Sequence, residues 1–426
     1  MTRPTAAILL TGSELLRGVI PDRNAAYLAE RLESLGFSMR RTLMVGDPLA
    51  DIERGFRELA GAHDLIVTSG GLGPTHDDRT VEAVAAVAGV PLELDEAVLA
   101  RITGWTDEVA QRMGFDRARF DAGNRKQARI PRGAQVLGMA GTAPGLVMEV
   151  DGSVAVVLPG VPSELRRLWQ LAPEHPLLAP LIARAQPRQR LTLRTYGIGE
   201  SHVADLFEQA GGDPDGVETS ICARNYEVEI DIRATAEGEA AGLRLWQRLQ
   251  SDLEPHLFAT DERPIAEIVL ELARARGLTL VTAESCTGGM VAAELTAIPG
   301  SSDVFAGGAV TYSDRLKHEL LGVPEATLEQ HGAVSAETAR AMAEGARRRL
   351  GARRRLGADL AVAVTGVAGP GGGTEEKPVG LVYLHVSGPD GEAERRMQWG
   401  GTRHDVRLRA TAASLHLLRD QLATGS

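Results

Sequence analysis

The sequence predicts an α/β protein of more than one domain. Three observations carry that reading. The chain has 426 residues, too many for one ordinary core and suited to two or three. Short apolar runs alternate with helix-period segments in the first and last thirds. Between them the texture changes to Pro-bearing and strand-like sequence. Hydrophobic residues make up 43% and charged residues 24%, which is the balance of a globular chain rather than a disordered one.

In the first third, "AAILL" reads as a buried strand. "NAAYLAERLESLG" follows with helical spacing and a C-cap at Gly36. "DIERGFRELAGA" predicts a second helix, "DLIVTS" a strand and "RTVEAVAAVAG" another helix. "AQVL" and "VAVVLPG" continue the strands to about residue 170. This βαβα order predicts a parallel sheet with helices on both faces. Residues 171–258 form the connecting unit. "LTLRTYG" and the alternating "YEVEIDIRATA" predict half-exposed strands, and "EAAGLRLWQRLQSDLEPHL" an amphipathic helix. Residues 259–426 return to α/β texture: the helix "IAEIVLELARARG", strands "LTLVTA", "AGGAVTY", "LAVAVTG" and "VGLVYLHV", and a final helix "HDVRLRATAASLHLLRDQL". A tandem "GARRRL" repeat, Gly345–Leu350 then Gly351–Leu356, reads as a slipped duplication on the surface; a basic contact patch of six arginines is the other reading.

Composition excludes several classes. The formal net charge of −11 argues against direct nucleic-acid binding. Two cysteines, Cys222 and Cys286, cannot build a disulfide framework or a cysteine zinc site, and they suit a reducing cytoplasm. No apolar run of about 18 residues predicts a membrane span, and the early Glu14 and Arg17 argue against a signal peptide.

Two constellations carry chemistry. In "TSGGLGPTHDDRT", Gly70, Gly71 and Gly73 permit close backbone approach to a ligand after a strand, which makes an anion site. Asp77 and Asp78 either cap the next helix or hold a metal beside a diphosphate. Glu14 in "TGSELLRG", Asp47 in "VGD", the "GTAPG" segment and "LPGVPSEL" are placed to converge on the same sheet edge. In "LVTAESCTGG", a strand ends on Glu284, Ser285, Cys286 and Thr287 just before a helix starting near Gly288. A side chain there faces a helix N-terminus, which favours a developing oxyanion. The plain alternative is that Ser285 or Thr287 caps the helix and Cys286 packs inward. Tyr312 and Lys317 follow a later strand, Thr365 opens a second glycine-rich loop, and Arg403 and Arg407 precede the last helix. His331 and His404 read as surface or capping residues.

These motifs carry a resemblance. "GSELLRG…DRNAAYLAERL", "VGD", "TSGGLGPTHDDRT", "GTAPG" and "LPGVPSE" resemble the molybdopterin-binding-type domain of the CinA family, a MoaB/MogA-like three-layer fold. "AESCTGG", "GSSDVFAGGAVTYSDRLK", "HGAVS", "VTGVAGPGGGTEEKPVG" and "GTRHDVR" resemble that family's nicotinamide-nucleotide amidase domain, known standalone as PncC. The middle unit resembles the family's small KH-type domain, although it shows no clear GxxG clamp. The resemblance implies hydrolysis of the carboxamide of nicotinamide mononucleotide (NMN) to nicotinate mononucleotide and ammonia. In that reading Ser285 attacks, and Lys317 helped by Tyr312 handles the proton. Cys286, Thr287, Gly288, Gly289, Thr365, Gly366, Gly369 and Arg403 bind substrate, with amides around Thr287–Gly289 as oxyanion donors. Cys286 is the rival nucleophile. For the N-terminal domain the resemblance implies metal-dependent hydrolysis of ADP-ribose, with Glu14, Asp47, Gly70, Gly71, Gly73, Pro74, Thr75, Asp78, Gly141, Thr142 and Gly160 at the nucleotide. A divalent metal sits on Asp77 and Asp78, with K+ a second candidate cation; the amidase is expected to need no cofactor. Met139 departs from the family, which commonly has Asn before the Gly-Thr segment. A homodimer is expected. The rival classes are a non-enzymatic partner in DNA competence or recombination, and a molybdopterin-binding module.

Overall fold

The structure, a computed structural model, describes residues 3–350 and 358–424. The chain divides into two compact units, Met1–Gln189 and Arg190–Ser426. The second "GARRRL" copy lies outside the described residues; the first ends the helix Ala336–Arg349.

The first unit is built on β1 (Thr5–Thr11), β2 (Ser38–Val45) and β3 (Leu65–Ser69), a small ribbon of β4 (Leu92–Leu94) with β5 (Arg129–Pro131), and β6 (Gln135–Ala140), β7 (Ala143–Val150) and β8 (Ser153–Leu158). The main sheet runs β2-β1-β3-β8-β7-β6. Its first four strands are parallel, whereas β7 adds antiparallel to β8 and β6 antiparallel to β7. The sheet is therefore mixed, not wholly parallel as the βαβα order predicts: β6, β7 and β8 follow one another through short turns that hold no crossover helix. Period-2 alternation explains the three layers. Ala6, Ile8 and Leu10 of β1 pack with Leu28, Leu32 and Trp169 on one side. Ala7 and Leu9 pack with Ile52, Phe56, Leu59 and Val84 on the other. Each such Leu, Ile or Phe, fully buried, contributes about 1.5–3 kcal/mol. Leu178 and Leu181 join the first of these cores. The segment after residue 170, expected in the connecting domain, thus packs with the first unit.

The second unit begins with the sheet β10-β11-β9-β12, formed from β9 (Gln189–Tyr196), β10 (Val217–Arg224), β11 (Glu227–Ala234) and β12 (Leu257–Ala259). The alternation in β11 predicts one wet face, yet Glu227 and Asp231 are buried. Their partners are arginines rather than water. Arg194 Nη2 donates to Glu227 at 2.7 Å, and Arg190 Nε to Asp231 at 2.5 Å. A second sheet, β14-β13-β15-β16-β17, follows from β13 (Leu280–Glu284), β14 (Phe305–Val310), β15 (Leu360–Gly366), β16 (Leu381–Gly388) and β17 (Gly391–Gln398). β13 lies parallel between β14 and β15, and is buried at every residue. Leu280, Val362 and Val364 face the helices Ile265–Ala275 and Arg403–Thr424; Val281, Ala361 and Ala363 face the helix Ala336–Arg349.

Candidate functional site

The turn after β13 is held from three sides. Ser285 N donates to Val364 O at 2.9 Å, which extends the β13–β15 ladder one residue past the strand. Gly288 and Gly289 take φ of 62° and 96°, a left-handed pair that a side chain would strain. Glu284, 1% exposed, turns its carboxylate onto the start of the helix Met290–Thr296. It accepts from Thr287 Oγ1 (2.7 Å), Gly289 N (2.9 Å), Val291 N (3.1 Å) and Ala292 N (2.9 Å). The capping residue is therefore Glu284, and Ser285 is left for other work. Gly288 N donates to Ser285 O at 3.1 Å. The amides of Gly288 and Gly289, expected to stabilise an oxyanion, are thus engaged within the turn, and Thr287 reaches Glu284 rather than a substrate. Arg407 donates to the carbonyls of Cys286 (3.1 Å) and Thr287 (2.7 Å). It is a positioning residue at the turn, one helical turn after Arg403.

Lys317 meets Ser285 from the helix Asp314–Leu321, which Ser313 caps. Its ammonium nitrogen lies 3.3 Å from Ser285 Oγ and 2.9 Å from Thr311 O, and the side chain is 1% exposed. Burial lowers its pKa, against a weaker opposing pull from Asp314. A buried amine with a lowered pKa beside a hydroxyl is able to take that hydroxyl's proton. Cys286 is its opposite. It is buried in the hydrophobic core, and burial pushes its thiol up to about 12. Its burial and raised pKa disfavour it as a thiolate nucleophile.

Two other expected roles change. Tyr312 is exposed, and its hydroxyl accepts from Arg403 Nη2 at 2.5 Å, so it partners Arg403 and not Lys317. Thr365 is fully buried and donates to Ala333 O at 2.7 Å, tying the "HGAVS" loop to the end of β15. Arg403 Nη1 donates to Gly369 O at 2.9 Å, joining the glycine loop to Tyr312. Gly366 is required by crowding, since a Cβ there would meet Leu381 O at 2.7 Å. His331 accepts from Lys377 Nζ through its carbonyl and sets its ring nitrogen 3.6 Å from Glu337, and His404 is exposed.

The first unit carries a cleft of about 670 Å³ at the carboxyl ends of β1, β3 and β8. Gly70, Gly71, Gly73, Pro74 and Gly160 form its floor, and Thr142 a wall. Cβ atoms at Gly70 and Gly71 would meet Thr11 O at 2.3 Å and Thr80 Oγ1 at 2.2 Å, so both positions need glycine. Glu14, Asp47, Asp77 and Asp78 line it as expected, joined by Asp22 and Glu164. Asp47 accepts from Ser13 N at 3.0 Å, and Asp22 from Asn24 N at 3.0 Å, so each also shapes backbone. Thr75 donates to Asp77 and Asp78 and does not line the cleft; its hydroxyl holds Asp77 below the usual carboxylate range. Gly141 sits under Glu164, whose carboxyl burial raises. Met139 packs toward Val98 and Ile102, away from the cleft. Asn24 passes unnoticed in the sequence. Its amide donates to Ser69 Oγ (2.9 Å) and Gly160 O (2.8 Å), and its buried Oδ1 has no partner at the cleft. Among the described residues no three His, Cys, Asp or Glu side chains are gathered to hold a metal by themselves. None of the described helices is long and apolar enough to cross a membrane.

Comparison with known proteins meets this geometry. Residues 7–179 match the family model described as "Probable molybdopterin binding domain", and residues 262–422 the CinA C-terminal domain. A CinA-like protein of Mycolicibacterium vanbaalenii is 44% identical over 426 residues, covering 99% of each chain. The chain belongs to the CinA family. A CinA-like protein of Mycobacterium tuberculosis is 42% identical, covering 98% of this chain and 97% of its own. A crystal structure of a competence/damage-inducible protein from Agrobacterium tumefaciens is 42% identical over 39% of this chain and 99% of its own, with a TM-score of 0.35. Both CinA-family domains are thus present, and each holds one of the two sites.

Proposed function

We propose that the second unit is a nicotinamide-nucleotide amidase, cleaving the carboxamide of NMN. The observation that carries this reading is the 3.3 Å approach of buried Lys317 Nζ to Ser285 Oγ. Neutral Lys317 takes the Ser285 proton as Oγ attacks the carboxamide carbon. The tetrahedral intermediate collapses, Lys317 returns the proton to the leaving nitrogen, and ammonia departs. Lys317 then takes a proton from the water that attacks the ester and returns it to the departing Ser285 Oγ, releasing the nicotinate nucleotide. Arg403 and the loop Gly366–Gly369 suit the ribose phosphate, since a guanidinium and glycine amides recognise phosphate oxygens. Ser285→Ala is expected to lower ammonia release from NMN at least about 10³-fold. Full turnover by that variant overturns the assignment.

For the first unit we propose hydrolysis of ADP-ribose at its pyrophosphate. Its cleft combines a glycine floor suited to phosphate with several carboxylates. Such an acidic cleft accepts a polyanion only when a cation lies between them. Oxygen donors fit a divalent metal of the Mg²⁺ type, which keeps waters and shares substrate phosphates rather than needing a complete protein cage. Asp78 and Asp77 would hold it, and it would polarise the phosphoryl oxygens. The chain's own part is to seat the diphosphate on Gly70–Gly73 and to offer Asn24 Oδ1 as an acceptor. Asp78→Ala is expected to abolish release of AMP from ADP-ribose at added metal. Undiminished release contradicts the site.

A further inference from the structure

A groove of about 570 Å³ opens in the second unit, where the loop after β9 and the tip of the β10–β11 hairpin meet β17 and the last helix. None of its lining residues belongs to the Ser285 site. Tyr196, Ile198, Tyr226, Met397 and Trp399 supply apolar walls, Arg395 and Arg409 supply cations, and Gly197 and Gly199 supply bare backbone. No carboxylate lines it.

Three features suggest that this wall is built for a ligand. Arg224 pairs with Glu227, so Asn225 and Tyr226 are the two central residues of the hairpin turn, at φ of 53° and 66°. The second such position favours glycine, and a bulky residue there is disfavoured. Tyr226 is held there by its side chain: its hydroxyl donates to Asp405 Oδ1 at 3.0 Å, and the Arg409 guanidinium lies 4.5 Å from its ring centroid. Tyr196 is braced from behind, stacked on buried His416 at 3.7 Å and 8°. The two guanidiniums are also fixed, Arg395 to Asp420 at 2.5 Å and Arg409 to Gly400 O at 3.0 Å. Rigid aromatic rings and preset guanidiniums around one groove are the parts that recognise a planar heteroaromatic ring joined to an anion. The volume lies within the range of small-molecule sites, about 300–1,000 Å³.

We propose that this groove is a second nucleotide site, with the base against Tyr196, Tyr226 and Trp399 and the phosphate taken by Arg395 and Arg409. Asp405, which Tyr226 touches, also accepts from Thr402 N at 2.8 Å, beside Arg403 of the candidate amidase site. The Tyr226 wall is therefore hydrogen-bonded to a residue two positions after Arg403.

The test uses full-length Ser285→Ala protein labelled with 5-fluorotryptophan and followed by fluorine NMR. The chain has 4 tryptophans, and Trp399→Phe assigns the relevant resonance. Titration with AMP is expected to shift the Trp399 signal saturably. Arg409→Gln keeps a polar side chain and removes the guanidinium with its charge; it is expected to weaken that binding about tenfold. Inorganic phosphate, which lacks the ring, is expected to bind at least about tenfold more weakly than AMP. An unmoved Trp399 signal at millimolar AMP overturns the proposal. So does an equal response in Arg409→Gln protein whose other resonances are unchanged, or an equal response to phosphate alone.

Discussion

Ser285 and Cys286 are neighbours with opposite environments, and the difference is a matter of which way each faces. The turn carries Ser285 to Lys317 and drives Cys286 into the core among Val291 and Val364. Exposed Cys222 and buried Cys286 should therefore differ in their access to a reagent. A thiol reagent is expected to find one reactive cysteine in the native protein and two after denaturation; two fast-reacting thiols in the native protein contradict the burial of Cys286. Cys286→Ala should retain amidase turnover. In the proposed amidase, Lys317 sets the pH dependence. Only its neutral form accepts a proton, so the rate falls as pH drops through its pKa. Burial moves that pKa below the usual value of about 10.4 and extends activity toward neutral pH. Lys317→Arg, which stays charged, should be inactive across the pH range, and a preserved acid limb in that variant would exclude Lys317 as its source. Glu284 belongs to stability. It satisfies four donors from a buried position, and Glu284→Ala is expected to lower unfolding free energy by about 3 kcal/mol in denaturant titration.

At the scale of elements, glycine turns after strands decide both sites. Gly71→Ala would place a Cβ 2.2 Å from Thr80 Oγ1 in a left-handed backbone, and is expected to cost about 2 kcal/mol and to abolish ADP-ribose hydrolysis. Thermal unfolding with product assay checks both. These turns were legible in the sequence because an apolar run that ends in glycines and hydroxyls has few other uses. That Ser285 and Lys317 come together was legible through motif and residue chemistry. Other assignments needed the third dimension. Periodicity reports which residues alternate and not what faces them, so Glu227 and Asp231 read as wet although arginines cover them. Thr365 is polar and motif-bound, yet its register at the end of β15 turns it to Ala333. The helix Glu96–Met113 is faint because its buried stripe, Val98, Ile102, Thr106 and Ala110, includes a hydroxyl and a small residue. Asn24 and Arg407 act through backbone carbonyls, and no sequence pattern points to those.

At the scale of the whole molecule, two units each carry one candidate chemistry, and both proposed substrates are nucleotides. The sites use no residue in common, so the activities should separate by mutation. Ser285→Ala should leave release of AMP from ADP-ribose unchanged, and Asp78→Ala should leave release of ammonia from NMN unchanged; parallel assays on the two purified variants check this. The central claim is the serine–lysine amidase. Its most direct test is ammonia release from NMN by the full-length protein, with Ser285→Ala, Lys317→Arg and Cys286→Ala measured alongside. Turnover by the wild type and by Cys286→Ala, lost in the other two while all four remain folded, is the predicted result. Turnover that survives without Ser285, or a folded wild type that releases no ammonia, contradicts the account.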